Sequence, residues 1–183
     1  MKRILSLLIL MALAFSAPAL AATGDGGGEI GFNYGSTQLD SNTGFDSASS
    51  LALRGGYFLN QKFEVEGQIE SASKSQDIQG TNVDGTFRSY MVNGLYNFQT
   101  PKEITPYVMA GVGMMDNEVK ASGITATDSS TAYQVGAGSR FFFGKSKKTA
   151  FRVDLSMIQE STFNETNTHT NVAAGFSWKL GSH

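Results

Sequence analysis

Three carboxylates share one face of a short stretch, "KFEVEGQIES", from Lys62 to Ser71: Glu64, Glu66 and Glu70. Side chains two apart on an extended strand are separated by about 6.6 Å of rise. That spacing superficially suits an acid/base pair. His169, followed by Thr170 and Asn171, is the other residue with catalytic potential. A nucleophile needs its base within hydrogen-bond reach, but Thr170 is adjacent to His169 and belongs to the opposite face of an extended chain. A metal site has little to draw on, because the chain has no Cys and only two His, His169 and His183. The stretches "GVGMMD" and "GAGSRF" lack the dinucleotide fingerprint and neither opens a helix. The reading is therefore no catalytic residue, no metal and no cofactor. The glutamates become filling for whichever side of a sheet they face, opposite Phe63, Val65, Gly67 and Ile69.

The elements that position them are strands. The chain has 183 residues, enough for one domain, with 21 Gly, 3 Pro and a formal net charge of -2. Mixed charge without a basic stripe argues against nucleic acid as a partner. "MKRILSLLILMALAFSAPALA" has a basic start, an apolar run from Ile4 to Phe15 and an Ala-x-Ala end. This is the pattern of a cleaved export leader over residues 1–21, followed by a flexible segment, 22–28, and a barrel domain, 29–183. Eight strands are expected over Glu29–Ser36, Ser50–Leu59, Lys62–Ser71, Thr86–Phe98, Thr105–Asn117, Thr131–Phe143, Thr149–Gln159 and His169–Leu180. Long polar connections ("TQLDSNTGFDSAS", "ASKSQDIQGTNVDG", "EVKASGITATDSS", "ESTFNETNT") alternate with short ones ("NQ", "QTPKEI", "GKSKK"). All the long connections then gather at one end, which is the plan of an all-β, eight-stranded, antiparallel, up-and-down transmembrane β-barrel. The basic turn Lys145, Lys147 and Lys148 falls at the other end, in periplasmic water, with lipid-phosphate contact as the weaker alternative.

Alternation leaves two orientations open, and the composition of the polar face decides between them. That face mixes charged residues with Gly, Ala and Ser. Glycine weakens a solvent-exposed strand, whereas a narrow closed interior needs small residues to make room for long ones. The expected luminal charges are Glu29, Glu64, Glu66, Glu70 and Asp154 against Arg54, Arg140, Arg152 and Lys179. Enclosed charges must pair or be solvated. The apolar face carries aromatics toward the strand ends. Tyr57, Phe63, Tyr96, Phe98, Phe141, Phe143 and Trp178 lie toward the short turns, and Tyr34, Tyr90 and Tyr133 toward the long connections. Two such girdles are the interface anchors of a membrane barrel.

"TPYVMAGVGMM" resembles the "PYxxxGxG" strand of the small outer-membrane β-barrels of the OmpA/OmpX type, "YMVNGLYNF" the strand before it and "YQVGAGSRFFF" the strand after. Such barrels often finish on an aromatic residue, whereas "FSWKLGSH" continues past Trp178. The resemblance implies residence in the outer membrane of a Gram-negative bacterium. Its implied partners are outer-membrane lipids, lipopolysaccharide and the assembly machinery, with an extracellular ligand reached through the loops. It does not imply one activity, since members include structural anchors, adhesins, small pores and lipid-modifying enzymes; the residues themselves favour a structural or surface-interaction role and no enzyme. Next in order stand a narrow pore for ions or small solutes, a lipid-modifying enzyme and a soluble lipocalin-like carrier. The His-x-Ser motif of outer-membrane lipid A deacylases is not reproduced by His169-Thr170-Asn171.

Overall fold

The computed structural model describes residues 27–39, 47–78, 81–101, 103–121, 124–162 and 165–180. The expected leader over residues 1–21 lies outside them. Eight strands follow in chain order: β1 (Gly28–Gln38), β2 (Ser47–Phe58), β3 (Phe63–Ile78), β4 (Thr81–Asn97), β5 (Ile104–Ala121), β6 (Ile124–Phe143), β7 (Thr149–Thr162) and β8 (Glu165–Leu180). Each strand pairs antiparallel with the next, and β8 returns to β1, so the sheet closes. The closing seam runs from Gly28 opposite Leu180 to Gln38 opposite Thr170. Closure leaves no strand edge, the condition for a sheet to sit in hydrocarbon with its backbone polar groups satisfied.

The short turns are tight. Asn60 Oδ1 accepts the backbone N–H groups of Lys62 at 2.8 Å and Phe63 at 2.9 Å, folding the chain from β2 into β3. Between β6 and β7, Gly144 takes a φ of 81° and Lys147 a φ of 48°. The first is a conformation that glycine adopts without steric penalty.

At the opposite end the strands run further than the sequence pattern suggests. Three of the four stretches read as long connections are largely sheet. The β3–β4 ladder continues to Ile78 opposite Thr81, β5–β6 to Ala121 opposite Ile124, and β7–β8 to Thr162 opposite Glu165. Residues 40–46 of the first connection lie outside the described residues. The reason for the difference is physical. Beyond the membrane both faces of a hairpin meet water, so the two-residue alternation fades while backbone pairing continues.

The faces divide cleanly. On β7, Phe151, Val153, Leu155 and Met157 are outward, while Arg152, Asp154, Ser156, Ile158 and Glu160 are buried inside. Leu155 is 53% exposed to the surroundings of the barrel, and Asp154 only 1%. On every strand the outward face is largely apolar from the short-turn end and then changes to polar residues at a common level. Ser36 stands opposite Ser49, and Ser71, Arg88, Asp116 and Ser129 are paired in succession across β3 to β6. Gln159 and Thr170 carry this boundary onto β7 and β8, beside Tyr133 and Met157 respectively.

Candidate functional site

The interior of the barrel gathers the charged residues, and the strand period puts them there. Near the short-turn end, Arg140 on β6 donates to Glu29 Oε1 at 2.9 Å, to Asn97 Oδ1 at 2.7 Å and to Glu64 Oε2 at 2.8 Å. One level deeper, Arg152 on β7 donates to Glu66 at 2.5 and 3.2 Å and to Asp154 Oδ2 at 3.1 Å. Arg54 on β2 completes the set, 2.9 Å from Glu66 and 3.6 Å from Asp154. Three guanidiniums thus serve four carboxylates drawn from β1, β3 and β7.

Tyr107 on β5 joins the two levels. Its ring lies between two cations, with the guanidinium carbons of Arg140 and Arg152 at 4.7 and 4.8 Å from its centroid. Its hydroxyl accepts from Arg152 Nε at 2.6 Å and donates to Asp154, which also accepts from Asn33. A ring face attracts cations through its quadrupole, and the hydroxyl gives the same residue a polar handle. The sequence hides Tyr107 because its strand carries apolar residues on both faces.

Two expected members stand apart from this network. Glu70 is buried but has no Arg or Lys within ion-pair distance among the described residues. It accepts instead from Asn171 at 2.7 Å, Gln68 at 2.8 Å and Thr37 at 3.2 Å. The stagger of the barrel carries it above the arginine levels. Lys179 faces inward but sits at the open mouth, and no carboxylate of the described residues lies within 4.0 Å of its ammonium. Its Nζ rests over the rings of Phe142 at 4.5 Å and Phe58 at 5.3 Å. Glu29 is directly opposite Lys179 across the seam, but its bonded oxygen is given to Arg140.

Toward the long-hairpin end the lumen changes character. Leu39, Phe87, Met91, Met115 and Ile158, with Ala48, Ala72 and Ala132, form a buried apolar cluster. Close to it is Glu160, whose carboxylate accepts from Ser130 at 2.7 Å and Asn167 at 2.9 Å and lies 3.4 Å from His169 Nε2. Ser130 donates to the carboxylate. This geometry caps a buried acid rather than presenting a hydroxyl to an imidazole base. His169 is buried, its ring 6.3 Å from that of Phe87. Thr170 is on the outer face. The expected strand end at Gln159 left Glu160 out by one residue.

Glu29, Glu64 and Glu66 bring carboxylate oxygens within 4.8 Å of one another, close enough to share an ion. The arginines already supply that positive charge: Arg140 contacts Glu29 and Glu64, and Arg152 contacts Glu66. This is an ion-pair centre. Luminal glycines give it space. A Cβ on Gly138 would overlap the Tyr107 hydroxyl, and one on Gly136 would lie 2.7 Å from Met109 Cε. Outward Gly55 and Gly94 have no such neighbour, with nothing within 4 Å and a nearest atom at 3.9 Å respectively.

The ten expected interface aromatics all project outward. Phe63, Tyr96 and Phe98 meet edge to face in sequence around one side of the short-turn end, with centroids 5.2 and 5.0 Å apart. On the other side Trp178 contacts Phe32 and Phe176, and Phe151 bridges Phe176 and Phe141. Phe32, Phe151 and Phe176, which are not among the expected aromatics, share this outward cluster of rings. Tyr34, Tyr90 and Tyr133 lie toward the hairpin end of the apolar surface.

A closed eight-stranded antiparallel sheet with an apolar exterior and an ion-paired interior defines a small transmembrane β-barrel. The chain matches the outer membrane protein beta-barrel domain family over residues 7–179 and belongs to it. It is thus a protein of the Gram-negative outer membrane. Among solved structures, Neisserial surface protein A superposes with a TM-score of 0.67 at 14% identity, covering 85% of this chain and 97% of that one. The N-terminal β-barrel domain of Pseudomonas aeruginosa OprF gives 0.56 at 19% identity, covering 84% of this chain and 100% of that one. Ail, the attachment invasion locus protein of Yersinia pestis, gives 0.51 at 16% identity, covering 84% and 97%. These likenesses show the fold. A search of curated proteins gave no match.

Proposed function

We propose that this barrel is a mount for surface contact: a side-chain-filled membrane body that holds paired hairpins above the outer leaflet. The observation that carries the reading is the extent of β3 to β8 beyond the polar boundary. From Asp116 the β5 strand continues to Ala121, and β6 returns from Ile124 to Ser129. That is a projection of roughly 15–20 Å along the strand. A membrane crossing needs only about 9–11 tilted residues, so the excess length serves something other than spanning. The β5–β6 hairpin presents an exposed Lys120–Glu118 pair at 2.7 Å and a Ser129–Asp116 hydrogen bond at 2.6 Å.

The interior supports a mount rather than a conduit. Arg140, Arg152, Tyr107, Leu95, Gln134 and His169 are each less than 2% exposed. A continuous water-filled pore would leave its lining side chains wet. The partners fitting this reading are outer-membrane lipid and lipopolysaccharide around the girdles, the assembly machinery during insertion, and an extracellular ligand at the hairpins. Residues 1–21 act as the export leader in the same reading, and the protein is not an enzyme.

The test is hairpin replacement. Residues 118–127 are exchanged for a two-residue Asn-Gly turn, which joins the paired positions Asn117 and Asp128, and cells displaying each protein are compared for adhesion to glycan and extracellular-matrix arrays. Adhesion should be lost while the barrel keeps its heat-modifiable gel migration. The reading fails if the wild type confers no adhesion, or if the shortened barrel adheres equally well. Ail has been crystallised with a heparin analogue, sucrose octasulfate, so sulfated glycans belong in the array.

A further inference from the structure

The short-turn mouth holds a feature that neither spanning nor surface contact uses. A cavity of about 600 Å³ opens there. Its walls include Arg140, Lys147, Lys148 and Lys179, the amides of Asn60, Gln61, Asn97 and Gln99, and the hydroxyls of Thr100, Thr105 and Ser146, with no Asp or Glu among the lining residues. Phe58 and Phe142 form an aromatic floor. Both are inward-facing ends of their strands, where a luminal position meets the solvent.

We propose that this mouth is a binding site for a phosphate-bearing ligand, with the Lys179 ammonium as its principal charge. Lys179 is held above Phe58 and Phe142 with no carboxylate of the described residues within 4.0 Å, and Glu29, the acid opposite it, gives its Oε1 to Arg140. An ammonium fixed against rings, with no Asp or Glu among the described lining residues, is a preorganised anion receptor. Lys147 adds a second charge at the rim, where its Nζ lies 3.2 Å from the exposed Glu103. Phosphate takes several N–H and O–H donors at once, and the side chains of Asn60, Thr105 and Ser146 stand in the wall beside the lysines. The cavity is larger than phosphate alone needs, and its volume is in the range of small-molecule sites. The ligand therefore carries a body that packs on the two rings. Two sources share this chemistry: a soluble phosphate ester of the periplasm and the headgroup of a phospholipid in the inner leaflet. The inference goes beyond the hairpin reading and does not depend on it.

The full-length barrel, refolded in a zwitterionic detergent, is titrated with glycerol 3-phosphate and, separately, with dihexanoyl phosphatidylglycerol below its critical micelle concentration. Backbone amide shifts of Gly28, Phe58 and Lys179 are followed by NMR. Saturable shifts are expected at these residues and not at the hairpins. Lys179→Gln should weaken the affinity about tenfold or more, whereas Lys145→Gln, which removes a charge from the β6–β7 turn outside the cavity lining, should leave it unchanged. Affinity for glycerol 3-phosphate equal to that for the lipid assigns a soluble ester, and saturation by the lipid alone assigns a headgroup. Saturation by neither probe overturns the proposal. Equal effects of the two lysine substitutions overturn it as well, since they would reduce the site to a diffuse basic rim. Heat-modifiable migration of each variant confirms that the compared proteins are folded.

Discussion

Replacing Arg140 with Met removes the hub of the level nearest the mouth while keeping a long apolar stem. The substitution breaks bonds to Glu29 at 2.9 Å, Asn97 at 2.7 Å and Glu64 at 2.8 Å, and two ring contacts, with Tyr107 at 4.7 Å and Phe58 at 5.7 Å. Adding separate values for these contacts would overshoot, because they share one side chain. The relevant quantity is the cost of leaving the partners buried without their counter-charge, about 3–5 kcal/mol. Glu29 and Glu64 are 3% and 1% exposed, so water cannot substitute for the guanidinium without the lumen opening. A triple variant, Arg140→Met with Glu29→Gln and Glu64→Gln, removes the stranded charges too. It should recover most of the loss, to within about 1–2 kcal/mol of the wild type. The assay is reversible urea unfolding in phosphocholine vesicles, read by Trp178 fluorescence and by heat-modifiable migration. A loss below about 1 kcal/mol for the single variant, the range of an exposed pair, would refute the reasoning. So would a triple variant no more stable than the single one.

Other outcomes follow from the same division of faces. Leu155→Arg should destabilise by about 2–4 kcal/mol if the site is at mid-bilayer, whereas Ser156→Asn, on the luminal side, should have a much smaller effect in the same unfolding assay. Gly138→Ala should cost about 1–3 kcal/mol through the clash with Tyr107, while Gly94→Ala on the open outer face should stay within about 1 kcal/mol of the wild type. The hydrogen bond and charge of Lys120 hold the Glu118 carboxyl below its usual range. A depressed folded value means that the pair is present above the ordinary carboxylate range and is lost as the pH falls through the folded value. Carboxyl carbon NMR should show Glu118 titrating early, and Lys120→Met should return it to the ordinary range.

Much of the architecture was legible because a lipid-facing strand must alternate. "TAFRVDLSMIQ" declares its two faces without ambiguity, and the strand count and closure follow from repeating that pattern. β4 and β5 declare less. Phe87, Met91, Leu95, Met109 and Met115 are apolar and face inward, so the strands that carry them are apolar on both sides. Inward and outward positions then look alike, which hid the apolar half of the lumen and the role of Tyr107. Which acid meets which base was not legible either. Arg140 and Glu29 are 111 residues apart, and Arg152 and Glu66 are 86 apart. The stagger of the closed sheet brings them together, and composition carries no record of it. The same stagger separates Glu70 from the arginines and leaves Lys179 at the mouth.

The direct test of the central claim is methyl NMR of the barrel in lipid nanodiscs, with selectively labelled Val, Leu, Ile and Ala. Val153, Leu155, Val172 and Ile69 should show cross-peaks to acyl-chain methylenes. Leu95, Ile158, Ala150 and Ala173 should show contacts to protein protons alone. Acyl-chain contacts from the second group, or their absence from the first, would contradict an apolar exterior wrapped around an ion-paired interior.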